Sequence, residues 1–200
     1  MKKYLPHIFV FLVFIVLLVL AINKKSSVIE NTLVMDEITR IEQLSVVEEE
    51  GQESNITPQD LNKLKELVKE DKIAESYAKE LEWLVEHNES QHILHSTSFM
   101  RDYIETGKDS PCVPHELWHV SLFAKHGDMD YARQQAKYVE KGYKAWEESI
   151  DKKREAYPQF YKSLDELKAM IKEAIAKLKQ NDYSEKTLEQ LELIGSVGLC

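Results

Sequence analysis

The stretch Cys112-Val113-Pro114-His115-Glu116-Leu117-Trp118-His119 puts a thiol, two imidazoles and a carboxylate close together in the chain. Four of the seven histidines fall into two short clusters, His92/His95 and His115/His119. On a helix, the spacing of His115 and His119 projects both rings from one face, where they can converge on a single ion. Neutral imidazole suits zinc and other late transition metals, and a thiolate at Cys112 would extend such a set. Glu116, between the two histidines, is placed to take a proton from a metal-bound water. Glu89 precedes His92 by the same interval at which Glu116 precedes His119, so the chain carries two E-x-x-H pairs on consecutive elements.

The residues from His115 to His119 resemble the zincin metallopeptidase signature, H-E-x-x-H. The resemblance implies zinc held by His115 and His119, with Glu116 as the general base of peptide hydrolysis. It covers only this motif. Pro114 directly precedes the first histidine, and Glu140 stands where glutamate-type zincins place a third ligand but without their surrounding pattern. No segment has the alternation of the edge strand on which such enzymes bind substrate. The paired E-x-x-H motifs are similar to those of di-iron carboxylate bundles, which implies iron. Those bundles, however, space the pairs far more widely and add glutamates from two further helices.

Taken by chemical type alone, His92, His95, His115 and His119, with Cys112 or Glu89 nearby, point to one transition-metal site. Zinc is the first candidate, and iron or another transition metal the next. A helix continuing past His95 to Gly107 travels roughly 15 Å, which the following connection can retrace at about 3.3 Å per extended residue. Such a site would serve a structural, sensing or ligand-holding role. The plainest alternative is a stalked helical interaction module that binds no metal, its histidines buried and satisfied by neighbouring carboxylates.

The elements that must position these residues are helical. Thr57-Pro58-Gln59-Asp60 has the composition of a helix start, and Leu61, Leu64 and Val68 continue it as one stripe. After a break near Asp71, a single long helix is expected. Its stripe of Ile73, Tyr77, Leu81, Leu84, Asn88, His92, His95 and Phe99 puts both histidines on the apolar face and ends at Gly107. Pro114 opens the next helix and Gly127 closes it. A cap at Asp128 or Asp130 then precedes the stripe Ala132, Ala136, Val139, Tyr143, Trp146, Ile150. Pro158 interrupts, Ser163 to Glu166 spells a capping box, and Ser184 begins a last helix that Gly195 and Gly198 loosen. The Lys/Glu-rich stretch from Ile150 to Lys179 is expected to be a solvated face. No alternating segment argues for a strand, so the expected class is all-α: an N-terminal single transmembrane helix followed by a bundle of about five helices.

Residues 1–23 make the expected transmembrane signal anchor, with about 18 mostly apolar residues from Leu5 to Ile22 behind Lys2 and Lys3. A short N-terminal tail places the N-terminus in the cytoplasm and the bulk of the chain outside it, in a single-pass protein. Residues 24–56 follow as a stalk with a short amphipathic helix at 35–47 and a linker around Gly51, and residues 57–200 as the bundle domain. The 35–47 helix either packs on the domain or self-associates, so the expected partners are a membrane and a second copy or another protein, met through that helix or the bundle. The chain carries a formal charge of −9, and the part after the anchor is more acidic still, which excludes nucleic acid as a partner. With only two cysteines, Cys112 and Cys200 either pair in an oxidising compartment or leave Cys112 free as a ligand.

Overall fold

A computed structural model describes residues 31–45, 56–109, 112–197 and 199. The expected anchor at 1–23, the start of the stalk, the linker around Gly51, Gly198 and Cys200 lie outside the described residues. Among the described residues the fold is all-α: eight α-helices, one short 3₁₀ turn and no strand. None of these helices is long and apolar enough to cross a membrane. The chain divides into two compact units, one ending at Asp109 and the other beginning at Ser110.

The first unit holds α1 (31–45), α2 (Pro58–Val68), α3 (Lys72–Glu86) and α4 (Ser90–Thr106). Val34, Ile38 and Ile41 of α1 are buried at helical spacing, so the amphipathic helix packs within this unit. Buried beside them, Glu37 is reached by Lys63 of α2 at 2.8 Å and by Arg40 at 2.6 Å. Arg40 also reaches the Asp60 carboxylate at 3.1 Å, while Arg101 of α4 pairs with Glu42. The Asp60 carboxylate accepts from both the hydroxyl and the backbone N–H of Thr57, which fixes the expected start of α2 and holds the Asp60 carboxyl below its usual range.

Instead of one long helix, residues 72–106 form an antiparallel hairpin. The chain reverses at Asn88, which adopts a φ of 59°, a left-handed conformation that asparagine tolerates better than most residues. Asp71 caps α3 by accepting from the N–H groups of Ile73 and Ala74, and it also accepts from the Tyr103 hydroxyl near the far end of α4 at 2.8 Å. Burial and the Asp71 carboxylate push the Tyr103 hydroxyl up to about 12. Midway along the hairpin the Ser96 hydroxyl donates to the buried Glu80 carboxylate at 2.6 Å. The expected end at Gly107 is present, with φ 67° and its N–H bonded to the Tyr103 carbonyl. The break near Asp71 is the expected one, whereas the reversal at Asn88 splits the expected long helix in two.

The second unit holds α5 (Val113–Lys125), α6 (Met129–Ala156), a 3₁₀ turn (Pro158–Phe160), α7 (Leu164–Lys179) and α8 (Glu185–Gly195). Helix α5 lies against both α6 and α8, and α7 packs on both of those. The expected α6 stripe forms the core: Ala132, Val139, Trp146 and Ile150 are buried, with Ala136 and Tyr143 half-buried. Asp128 caps α6 by accepting from the Tyr131 N–H, and Gly127 turns the chain with φ 84°. The expected capping box at α7 is not formed, since Ser163 makes no capping hydrogen bond. At α8 the Asp182 carboxylate accepts from the Ser184 N–H and from the buried Thr187 hydroxyl.

The Lys/Glu-rich stretch is not wholly solvated. Lys168 is buried and reaches across from α7 to Asp151 of α6 at 2.6 Å, while Glu147 takes Lys172 at 3.1 Å and the Tyr143 hydroxyl at 2.9 Å. Gly195 does not loosen the tail. A Cβ there would stand 2.6 Å from the Cβ of Trp118 on α5, so the absent side chain is what lets α8 approach α5.

Gly195→Ala is expected to destabilise the protein. Overpacking typically costs about 1–3 kcal/mol, against at most about 1 kcal/mol gained in helix propensity, and urea unfolding measures the difference. Glu37→Gln is expected to cost about 1–2 kcal/mol at neutral pH, the low end for charged hydrogen bonds because Lys63 is solvent-exposed and Arg40 only half-buried. Burial raises the Glu37 carboxyl, but its bonds to Lys63 and Arg40 outweigh that and leave it below the usual value. A carboxyl with a depressed folded pKa stabilises above its unfolded value and loses that contribution as pH falls. The stability gap between wild type and Glu37→Gln should therefore shrink as pH drops below about 4.3.

Candidate metal centre

Helix α5 presents its motif within its opening turns. Pro114 occupies the first turn, where its missing N–H costs nothing, and the extended Cys112 serves as N-cap, its carbonyl accepting from the Glu116 N–H at 3.0 Å. His115 and His119 lie on one face as their spacing requires, with ring centroids 4.2 Å apart and planes inclined at 63°. Both are buried, His119 completely. Glu116 is buried too. One of its oxygens lies 3.9 Å from Nδ1 of His119, and the same carboxylate accepts from the side-chain amide of Gln135 on α6. Trp118 stands edge-on to His115 at 6.5 Å, and Phe123 lies 6.0 Å from His119.

In the first unit the expected residues separate. His92 is buried in the first turn of α4, its N–H bonded to the Glu89 carbonyl at 3.0 Å. His95 is exposed. The buried stripe of α4 is His92, Ile93, Ser96, Thr97 and Met100, because the reversal at Asn88 resets the helical phase that the sequence appeared to carry through from α3. Glu89 is the half-buried residue at the N-cap of α4. His87 is half-buried against Trp83, stacked at 3.9 Å with Nδ1 at 2.8 Å from the Trp83 carbonyl. Glu140, the position suggested by the zincin spacing, is exposed and pairs with Lys179 at 2.8 Å.

Cys112 is disulfide-bonded, so it offers no thiolate to a metal. Cys200, the only other cysteine of the chain, lies outside the described residues. His92 in the first unit and His115 and His119 in the second are buried histidines, a residue type that could hold a metal ion, and Glu80 and Glu116 are buried carboxylates of the first and second unit. Glu80 went unnoticed in the sequence, although it sits directly beside Leu81 on the apolar stripe of α3. A carboxylate on such a stripe is the available signal, since carboxylates are almost never fully buried without a partner. Gln135 left no signal, because nothing in its spacing announces that it faces Glu116.

No protein-family model, curated protein or solved structure matches this chain.

Cys112→Ser is expected to lower stability by about 2–5 kcal/mol, the usual cost of losing a native disulfide. It should leave histidine-based metal binding in place. Unfolding with and without reductant, alongside metal analysis of the variant, checks both.

Proposed function

We propose that this protein binds one transition metal through His92, His115 and His119, in a structural, sensing or ligand-holding role. The observation that carries the reading is the burial of all three imidazoles, a ligand type suited to a transition metal. Histidines of this number and type suit zinc first, with iron or another late transition metal as the next candidates. Glu116, fixed by Gln135, supplies an adjacent carboxylate that can act as a further ligand or orient a ring.

The membrane-anchored, extracytoplasmic placement is part of the same proposal, with residues 1–23 as its anchor. The disulfide at Cys112 supports it, since such bonds persist mainly in oxidising compartments. The zincin alternative requires a substrate-binding edge strand, and the described residues contain none. The alternative of a metal-free interaction module remains an outcome of the test.

Metal analysis of the full chain, beside His92→Ala and His119→Ala, decides the matter. About one zinc or iron per chain is expected, falling to a small fraction in either variant, and chelation should lower the Tm of wild type but not of the variants. Wild type that carries no metal and takes up none from added zinc or iron overturns the proposal. With metal present, wild type is expected to show no peptide hydrolysis, and Glu116→Gln to retain the metal. If wild type cleaves a denatured protein substrate and Glu116→Gln does not, the peptidase reading replaces the metal-holding one.

A further inference from the structure

The second unit contains a cavity of about 320 Å³ between α6, α7 and the connection leading to α8. Its size is at the lower end of ligand pockets, which run from about 300 to 1,000 Å³. One wall is apolar, formed by Ala136, Ile175 and Leu178. The rim carries Arg133, Lys137 and Lys179 against the single carboxylate of Glu140, a local positive excess on a chain whose net charge is −9.

These cations are unequally engaged. Lys179 is paired with Glu140 at 2.8 Å. Arg133 donates to the Asn181 side-chain oxygen at 3.2 Å and lies 3.5 Å from Asp130, which orients its guanidinium at the rim. Lys137 has no ion pair among the described residues. It stands one helical turn after Arg133 on the same face of α6, a like-charge spacing that is mildly unfavourable in an isolated helix. Asn181, whose φ of 60° places it in the left-handed region at the end of α7, brings its amide to the same rim. Tyr183 completes the lining, and burial raises its hydroxyl above the usual value against an opposing effect of Arg133. It therefore stays protonated at neutral pH and adds a neutral hydroxyl, not a second negative charge.

We propose that this cavity is a binding site for a small organic anion, a carboxylate or phosphate head on an apolar body. The head is received by Lys137 and Arg133, and the body lies along Ile175, Leu178 and Ala136. An anion relieves the repulsion between the two cations and turns their spacing into a clamp. The apolar wall distinguishes such a ligand from inorganic phosphate, which would leave it wet. The site belongs wholly to the second unit and is independent of the proposed metal centre.

Titration of the full chain with phenyl phosphate, benzoate and inorganic phosphate, followed by calorimetry or ligand-observed NMR, tests it. Saturable binding of phenyl phosphate or benzoate at one per chain is expected, with inorganic phosphate weaker by about tenfold or more. Whichever of the two aromatic probes binds more tightly identifies the preferred head group. Lys137→Glu should weaken binding by at least about tenfold, since it reverses a charge in contact with the anion. Because Lys137 is exposed and unpaired among the described residues, the fold should be retained, and circular dichroism checks this. Absence of saturable binding by both aromatic probes overturns the proposal. So does binding that Lys137→Glu leaves unchanged, or inorganic phosphate that binds as tightly as phenyl phosphate.

Discussion

The second unit is arranged around the burial of polar side chains on α5. Nine residues of this helix are buried, and four of them, His115, Glu116, His119 and Ser121, carry polar groups. Withdrawing such groups from water is costly unless each finds a partner, and the cost is greatest for a charge. The two helices packed against α5 both answer. Helix α6 brings Gln135 to Glu116, and α8 brings Glu192 to the Ser121 hydroxyl at 3.0 Å. Shape follows from the same demand, because α8 can come close enough to serve α5 only where Gly195 presents no side chain to Trp118.

The first unit meets a similar demand at two carboxylates. Glu37 on α1 is held by cations from its own helix and from α2, so a helix that could have stood free is tied down by charge as well as by Val34, Ile38 and Ile41. Glu80 on α3 is held by Ser96 of α4. Together with the Tyr103–Asp71 bond, that contact fixes which residues face each other across the hairpin. Apolar packing alone would tolerate a slip of the two helices along each other, whereas two directional hydrogen bonds at separate levels do not.

What the sequence made legible is what short-range chemistry determines. The helical class, the α6 stripe, the stops at Gly107 and Gly127, the Asp128 cap and the shared face of His115 and His119 all depend on residues within a turn or two of each other. The errors arise where the deciding contact is distant in sequence or where a single backbone angle intervenes. The turn at Asn88 changed the phase of α4, burying His92 and exposing His95, though the spacing had put them on one face. Lys168 looked like part of a solvated face because Asp151 lies on another helix. Gly195 looked like a flexible tail because nothing near it in the sequence shows that Trp118 stands opposite. The Cys112 sulfur was chemically ambiguous, since a ligand and half of a disulfide share the same letter.

The disulfide also changes how the motif should be understood. It removes a ligand but adds a constraint at the N-cap of α5, immediately before Pro114, whose ring already fixes its φ near −65°. Two covalent restraints therefore act on the turn that carries His115 and Glu116, and both reduce the freedom of the unfolded chain. A ligand set held this way loses less conformational entropy on capturing an ion than one on a fraying helix end, which is the usual liability of a site in a first turn. On the metal-binding proposal, the position of the motif at the very start of its helix, which sets it apart from the zincin pattern, is compatible with a well-ordered site.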